Sequence, residues 1–544
     1  MKYIITVLLI TTLLQAQSMF EPVNSDVYDY LESLAIKGLI TFDYEIKPVT
    51  RIEIAKTILD IEKNSSHLTE LEKNLLEFYK QDFAHEINII NQTFDEKAKP
   101  DFIVLDKDKR VRLFEYAGKD FSFFADPMLS LSVQSIASKK LTIRRNGFSV
   151  YGYALNNWAY GLNFYDNEES GVNLDLIKDL TPERGVTVTK TSRNSFQYDY
   201  VNAYVGYYWH NGSISIGKDY FKIGNGRNGN IILNDKAPSF PFIRLDFKPV
   251  DWLRFFYFHG FLVSNVPDSS TFRYNLVPDR NSIIDVPKFI AFHSLSFYPT
   301  NYSSFTLGES IVYSDYLQPI YLIPVMFFRI ADHYLGNGKS SATGNAQLFA
   351  DASYTNTAIH TKFYGTLFID ELSLENIFNG GNLSAIGFTL GLEAIDPVLN
   401  NSSINIEYTR TNPFVYMNAM EAQTYTNANY VLGDWIGSNG DIISVKYGQY
   451  LTRSTKFSLS TWYFRKGKKE LPIEQYQSPY PEFLYGAKRY EFGTEFRLKF
   501  RPWQPVTAEV YYSFIRITDD LSGRTLSYKL SGQHYFGITV SYGF

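Results

Sequence analysis

The chain of 544 residues has no cysteine. That excludes disulfides, thiolate metal sites, a cysteine nucleophile and a lipobox anchor. Histidine is sparse at 8 residues, and methionine and tryptophan stand at 6 each. His259 and His293 fall in expected strands and His333 in a loop, each reading as solvated or interfacial. None has metal-ligand spacing to another histidine or a carboxylate. No Gly-x-Ser-x-Gly occurs, so a nucleophile elbow is absent. No nucleophile–base–acid set is readable, and we read no enzyme and no cofactor. Neither sign of charge dominates: 52 Lys+Arg against 57 Asp+Glu gives −5, which offers no basic field for nucleic acid. A mean hydropathy of −0.20 excludes a polytopic helical membrane protein. Aromatic residues, by contrast, are abundant, with 42 Tyr and 43 Phe. Abundant Tyr and Phe in a polar, cysteine-free chain suggest a transmembrane β-barrel with aromatic girdles and a wet lumen.

The N-terminus carries Lys2, an apolar run from Ile4 to Leu14, then Gln15-Ala16-Gln17-Ser18. This reads as a signal peptide over 1–18, too short to span a bilayer. Export into a Gram-negative-type envelope follows. Residues 19–98 then show helical periodicity. Val27, Tyr30, Leu31, Leu34 and Ala35 share one face, and Gly38 closes the helix. Thr50–Glu53 and Thr69–Glu72 have capping-box spacing ahead of further apolar stripes. Three short helices in a compact periplasmic bundle are expected. Leu34–Ile40 with Pro48–Glu53 resembles an S-layer homology unit, which would make peptidoglycan a partner if this segment acts as a tether. Residues 99–127 read as a linker.

From 128 to 544 the period changes to two. In the last strand, Phe536, Ile538, Val540, Tyr542 and Phe544 oppose Tyr535, Gly537, Thr539, Ser541 and Gly543. The terminal Phe544 resembles the signal read by outer-membrane barrel assembly machinery. Phe492, Phe496, Leu498 and Phe500 likewise oppose Glu491, Glu495, Arg497 and Lys499. Lipid solvates the apolar face, and closure pairs every backbone group. Connection lengths alternate as well. Short ones such as 501–506, 396–402 and 209–212 interleave with long ones such as 466–488, 411–440, 314–344 and 222–239. Short turns belong in the periplasm and long loops outside. The expected fold is therefore all-β: a transmembrane antiparallel β-barrel of about 18 strands from about Met128, with a small N-terminal α-helical bundle. Glu309 falls in the apolar register of its strand, from a bulge or a real feature. Glu495 and Arg497 read as paired lumen charges with a structural role.

Two loops carry the candidate binding chemistry. In 222–239, Gly and Asn tolerate positive φ, and a tight loop folded over the barrel mouth is one reading. A sugar-binding surface is the other, with Asn225, Arg227 and Asn228 bonding hydroxyls or acidic sugars. In 411–440, Tyr425, Tyr430, Asp434 and Trp435 combine aromatic and polar groups in a way that suits carbohydrate, and equally suits loop packing. The segment from Gly217-Lys218-Asp219 through the Gly-rich turn resembles the capsule assembly Wzi family, with Lys222-Ile223 where a tryptophan pair is common. Glu309–Tyr313, Pro324–Phe328, His333-Tyr334, Asn345–Leu348 and Leu367–Leu372 match in order. The resemblance runs from about Asn24 to the C-terminus. It implies an eighteen-stranded outer-membrane barrel with a periplasmic helical bundle. It also implies a lectin-like, non-enzymatic role in attaching capsular or exopolysaccharide to the cell surface. Beyond that polymer, the expected partners are outer-membrane lipid and the assembly machinery. An outer-membrane porin or channel for small solutes is the alternative.

Overall fold

A computed structural model describes residues 20–544 apart from 43, 95–97, 106–109, 156, 277–281, 337–343, 372–384 and 477–478. The expected signal peptide lies outside the described residues. Four helices open the chain: α1 (Asp26–Ile36), α2 (Arg51–Lys63), α3 (Glu70–Asp82) and α4 (Ala84–Asn91). The expected caps are present: Thr50 accepts from the Glu53 amide, and Thr69 with Glu72 completes a reciprocal capping box. Val27, Leu31, Leu34, Ile54, Ile58, Leu75 and Leu76 meet in one core. The fourth helix was not expected. It starts at once after α3 with no side-chain cap, so the signal that marked α2 and α3 is missing.

Eighteen antiparallel strands close into a barrel. We number them β1 (Ser122–Ile136), β2 (Lys139–Ala154), β3 (Trp158–Gly171), β4 (Ser195–Trp209), β5 (Gly212–Asp219), β6 (Phe240–Val250), β7 (Leu253–Leu262), β8 (Lys288–Thr300) and β9 (Ser303–Ser314). The rest are β10 (Gly344–Asn356), β11 (Thr361–Glu371), β12 (Ala385–Ile395), β13 (Ser402–Thr411), β14 (Gly440–Thr452), β15 (Thr455–Lys466), β16 (Arg489–Trp503), β17 (Val506–Asp519) and β18 (Ser531–Tyr542). β18 closes on β1, with Tyr535 opposite Ile136 and Tyr542 opposite Leu129. Long and short connections alternate, except at Ile136–Lys139, where a tight turn sits at the long-loop end. No described helix is long and apolar enough to cross a membrane.

Two expectations need correcting here. The stretch 99–127 is not a simple linker. Asp101–Leu105 pairs with Val111–Ala117, and that hairpin continues the sheet beside Ser122–Ala125. The first barrel strand thus begins at Ser122, six positions before Met128. The lumen is also not simply wet. Phe242, Phe256, Phe258, Phe292, Phe349 and Phe368 project inward from β6 to β11 and are buried in the largest apolar cluster of the molecule. Aromatic residues are numerous because they build this interior as well as the outer band.

Outer-face residues follow the alternation that was read from sequence. Phe492, Phe496, Leu498 and Phe500 on β16 are exposed, as are Phe536, Ile538 and Val540 on β18. Arg497 is ion-paired on the inner face to Glu495 and Glu509, each at 2.8 Å. Phe544 leaves the register after Gly543, whose φ is +80°, and its ring meets Tyr165 edge-on at 5.0 Å.

Candidate functional site

The helical bundle closes the short-turn end. Asp26, Asp29 and Glu32 recur every three residues along α1, so they share one face. That face meets a row of cations on the inner wall. Lys499 reaches Asp26 at 2.6 Å, Lys456 reaches Asp29 at 2.7 Å, and Lys362 lies 3.4 Å from Glu32. Lys37 bridges Glu72 at 2.6 Å and Asp396, in the β12–β13 turn, at 2.5 Å. Gln504, in the β16–β17 turn, donates to the Phe78 carbonyl at 2.7 Å. Beyond α1, Ile46–Lys47 pairs antiparallel with Lys222–Ile223 of the β5–β6 loop. The bundle and this loop therefore meet inside the barrel. A polar cavity of about 170 Å³ remains between them, lined by Asp29, Lys47, Lys222, Asn225 and Arg227 among others.

The β5–β6 and β13–β14 loops fill the lumen from the long-loop end. Ile231, Ile232 and Leu233 pack with Phe414, Val415, Tyr425 and Leu432 against the inward phenylalanines. Tyr416 and Tyr425 stack at 5.6 Å and donate to the carbonyls of Ile231 and Ile232, each at 2.7 Å. The third loop, 172–194, is tied to this plug. Arg184 pairs with Asp235 at 2.9 Å. The Lys236 ammonium donates to the carbonyls of Lys178, Thr181 and Glu183, and burial pulls its pKa down to about 8.

Each candidate binding residue read from the sequence lies in this plug. The Asn225 amide donates to Asp351, and its oxygen accepts from Lys362 at 2.5 Å. The Arg227 guanidinium pairs with Glu32, with Glu393 at 2.6 Å and with Asp29 at 3.7 Å. Burial opposes its charge, but these three carboxylates outweigh burial and raise its pKa. The Asn228 backbone N–H donates to Glu407 at 2.9 Å, and its backbone carbonyl accepts from the Trp435 indole at 3.3 Å. Tyr425, Asp434 and Trp435 are buried. Burial pushes the Asp434 carboxyl up to about 7. Tyr430 is half-buried and donates to the Val186 carbonyl at 3.2 Å. The loop is tight because its glycines permit it. A Cβ at Gly226 would lie 1.9 Å from the Gly229 carbonyl oxygen, and one at Gly229 would lie 2.3 Å from Asp434. Of the two readings of these loops, the geometry is that of a folded-in plug. The polar groups of Asn225 and Arg227 are spent on protein partners.

Sequence reasoning missed the acidic row on α1, although its spacing was visible. It also misread two histidines. His259 is buried and bonded to Tyr313 at 2.8 Å, and His293 pairs with Glu309 at 3.1 Å. Glu309 is a real feature and not a bulge, since its strand pairs in register with both neighbours. Its carboxylate accepts the backbone amide of Phe328 at 2.6 Å. Residues left exposed at the long-loop end include Phe272 and Tyr274, in and just beyond the hairpin Pro267–Arg273/Ser282–Asp285, and Tyr274 is 88% exposed.

No family model and no curated protein matches the chain. Solved structures do. The chain is similar to Wzi, an Escherichia coli outer-membrane protein involved in group 1 capsule assembly and described as a carbohydrate-binding β-barrel. The match has 14% identity and a TM-score of 0.55, and it covers 96% of this chain and 100% of that one. It is also similar to OprD of Pseudomonas aeruginosa, at 10% identity and a TM-score of 0.40, covering 76% and 92%. OpdK from the same organism, solved with vanillate, matches at 10% and 0.43, covering 77% and 98%. The chain thus has the fold of the Wzi outer-membrane barrel, as the resemblance in its sequence implied.

Proposed function

We propose that this outer-membrane barrel binds capsular or exopolysaccharide with its long loops and anchors the polymer at the cell surface without catalysis. In this reading the long loops are extracellular and the helical bundle is periplasmic. The observation that carries it is the filled lumen: a bundle and two loops, joined by buried ion pairs and one apolar core, make the barrel a closed platform. The fold shared with a carbohydrate-binding barrel supports the same reading. With Asn225 and Arg227 engaged inside and Asn228 held there by its backbone, contact with polymer falls to exposed aromatic and basic groups around the mouth, led by Phe272, Arg273 and Tyr274 and the open edge of Tyr430. Aromatic rings stack on sugar faces, and Arg273 suits an acidic polymer. Assembly machinery would engage the C-terminal strand ending in Phe544, and peptidoglycan would meet the bundle.

The test is polymer retention in a deletion strain. Polymer released into the medium at unchanged total synthesis supports anchoring, and Tyr274→Ala should then weaken binding of purified polymer several-fold. Unchanged retention overturns the reading. The alternative, a porin for small solutes, requires conductance. The purified barrel in a planar bilayer should be silent, and steady channels in the unmodified protein would favour the porin.

A further inference from the structure

The β9–β10 connection does something the other loops do not. It turns back over the outside of the barrel. Helix α5 (Phe328–Leu335) lies against the outer wall of β8, β9 and β10. Its Phe328 and Ala331, with Tyr321 before it, pack on the outward residues Tyr257, Ala291, Ile311 and Tyr313. Glu309 and His293 clasp it from the wall. Glu309 accepts the Phe328 amide, and the His293 ring stacks on Phe328 at 4.5 Å and bonds the Pro324 carbonyl at 2.9 Å. Glu309 lies five positions below Ser314, where β9 ends. The clasp is therefore about 16 Å down the strand from the rim. Immediately below, Phe305 and Leu307 face outward and are exposed, as the lipid-facing band requires.

The other side of this arm is apolar and uncovered. Phe327 is 66% exposed and Ile330 is 67% exposed, continuous with that band. Arg329 and His333 stand one turn apart on the exposed side, and their side chains make no hydrogen bond or ion pair among the described residues. An apolar helix face flanked by basic groups at the edge of a hydrocarbon band is the pattern of an interfacial helix. We propose that residues 316–335 anchor in the outer leaflet, with Phe327 and Ile330 among acyl chains and Arg329 and His333 on the phosphate of a phosphorylated lipid headgroup. This inference rests on the outer-membrane placement and is independent of polysaccharide binding.

The absence of cysteine makes the experiment direct. Ile330→Cys, Leu307→Cys and Leu276→Cys, each carrying one environment-sensitive fluorophore, are reconstituted as the full chain into vesicles with brominated acyl chains. Leu307 serves as the lipid control and Leu276 as the water control. Quenching at 330 that approaches the value at 307 supports the proposal. Quenching no greater than at 276 overturns it. Label-to-label excimer at 330, in place of lipid quenching, would assign the face to a second copy and also overturn it. In parallel, vesicles with and without lipid A measure retained phosphate. Arg329→Gln should lower retained lipid A about fivefold, and unchanged retention overturns the phosphate contact. Because the labelled side chains are exposed, folding is not at stake, and the quenching pattern of the three labelled chains stands without the Arg329 variant.

Discussion

At the short-turn end, the bundle meets the barrel through ions: Asp26, Asp29 and Glu32 against Lys499, Lys456, Arg227 and Lys362. At the long-loop end, closure comes from side chains such as Ile232, Leu432 and Tyr425 packed on a wall of phenylalanines. The two ends are built differently because their walls differ. Toward the long loops the inner wall presents Phe242, Phe258, Phe292 and Phe368, whereas toward the short turns it presents Lys362, Lys456 and Lys499. An ionic closure is concentrated, since one missing partner strands a buried charge. An apolar closure is distributed over many contacts, so each deletion is felt only in proportion to the volume lost. Arg227 belongs to both, carried by the upper plug yet paired with the lower one.

The largest effect is expected at that joint. Arg227→Met leaves Glu32 and Glu393 without their shared cation and should cost about 3–5 kcal/mol. The loss would be read as a lower melting temperature together with new conductance in planar bilayers. If stability falls and the barrel stays silent, the ionic closure is dispensable for sealing. Next, Ile232→Ala in the apolar plug should cost about 3 kcal/mol with no new conductance, which thermal melting and bilayer recording would check together.

The third test uses pH. Asp434 has a reference pKa of 3.8 and is pushed up to about 7, first by burial and then by the neighbouring Glu407, with Lys446 and the Ile436 amide opposing. A raised acid holds its proton longer in the folded state than in the unfolded one. Its contribution to stability is therefore greatest below about pH 4, falls as pH rises to about 7, and is flat above. Asp434→Asn should remove that slope and be more stable than the parent at pH 8, by at most about 4 kcal/mol. Equal slopes in melting series from pH 5 to 8 would place the carboxyl outside the plug's energetics. The smallest effect is expected at the capping box of α3: Thr69→Ala should cost about 1 kcal/mol. Amide exchange in the bundle should reveal it, with the apolar plug unaffected.

Much of the fold could be read from short stretches of chain. Glu491 to Phe500 declared an inner and an outer face in ten residues, and Thr69 with Glu72 declared the start of a helix in four. The paired strands 101–105 and 111–117 escaped because both are short and their place beside Ser122–Ala125 is a tertiary contact. The candidate site was legible in part. Its two loops were correctly singled out as unusual, and their Gly, Asn and aromatic content is what a tightly folded plug needs. Composition alone does not distinguish an asparagine awaiting a sugar hydroxyl from one bonded to Asp351, 126 positions away.

What the sequence determined by itself is therefore local: strand alternation, helix starts and the rhythm of connection lengths, because period and capping depend on neighbours within a few residues. Tertiary structure alone decided which surfaces meet. It brought Glu32 to Arg227 and Lys362, Asn228 to Trp435, and an outward Glu309 beneath a helix. Those pairings depend on where barrel closure carries residues far apart in the chain, and side-chain type sets their strength without naming their partners.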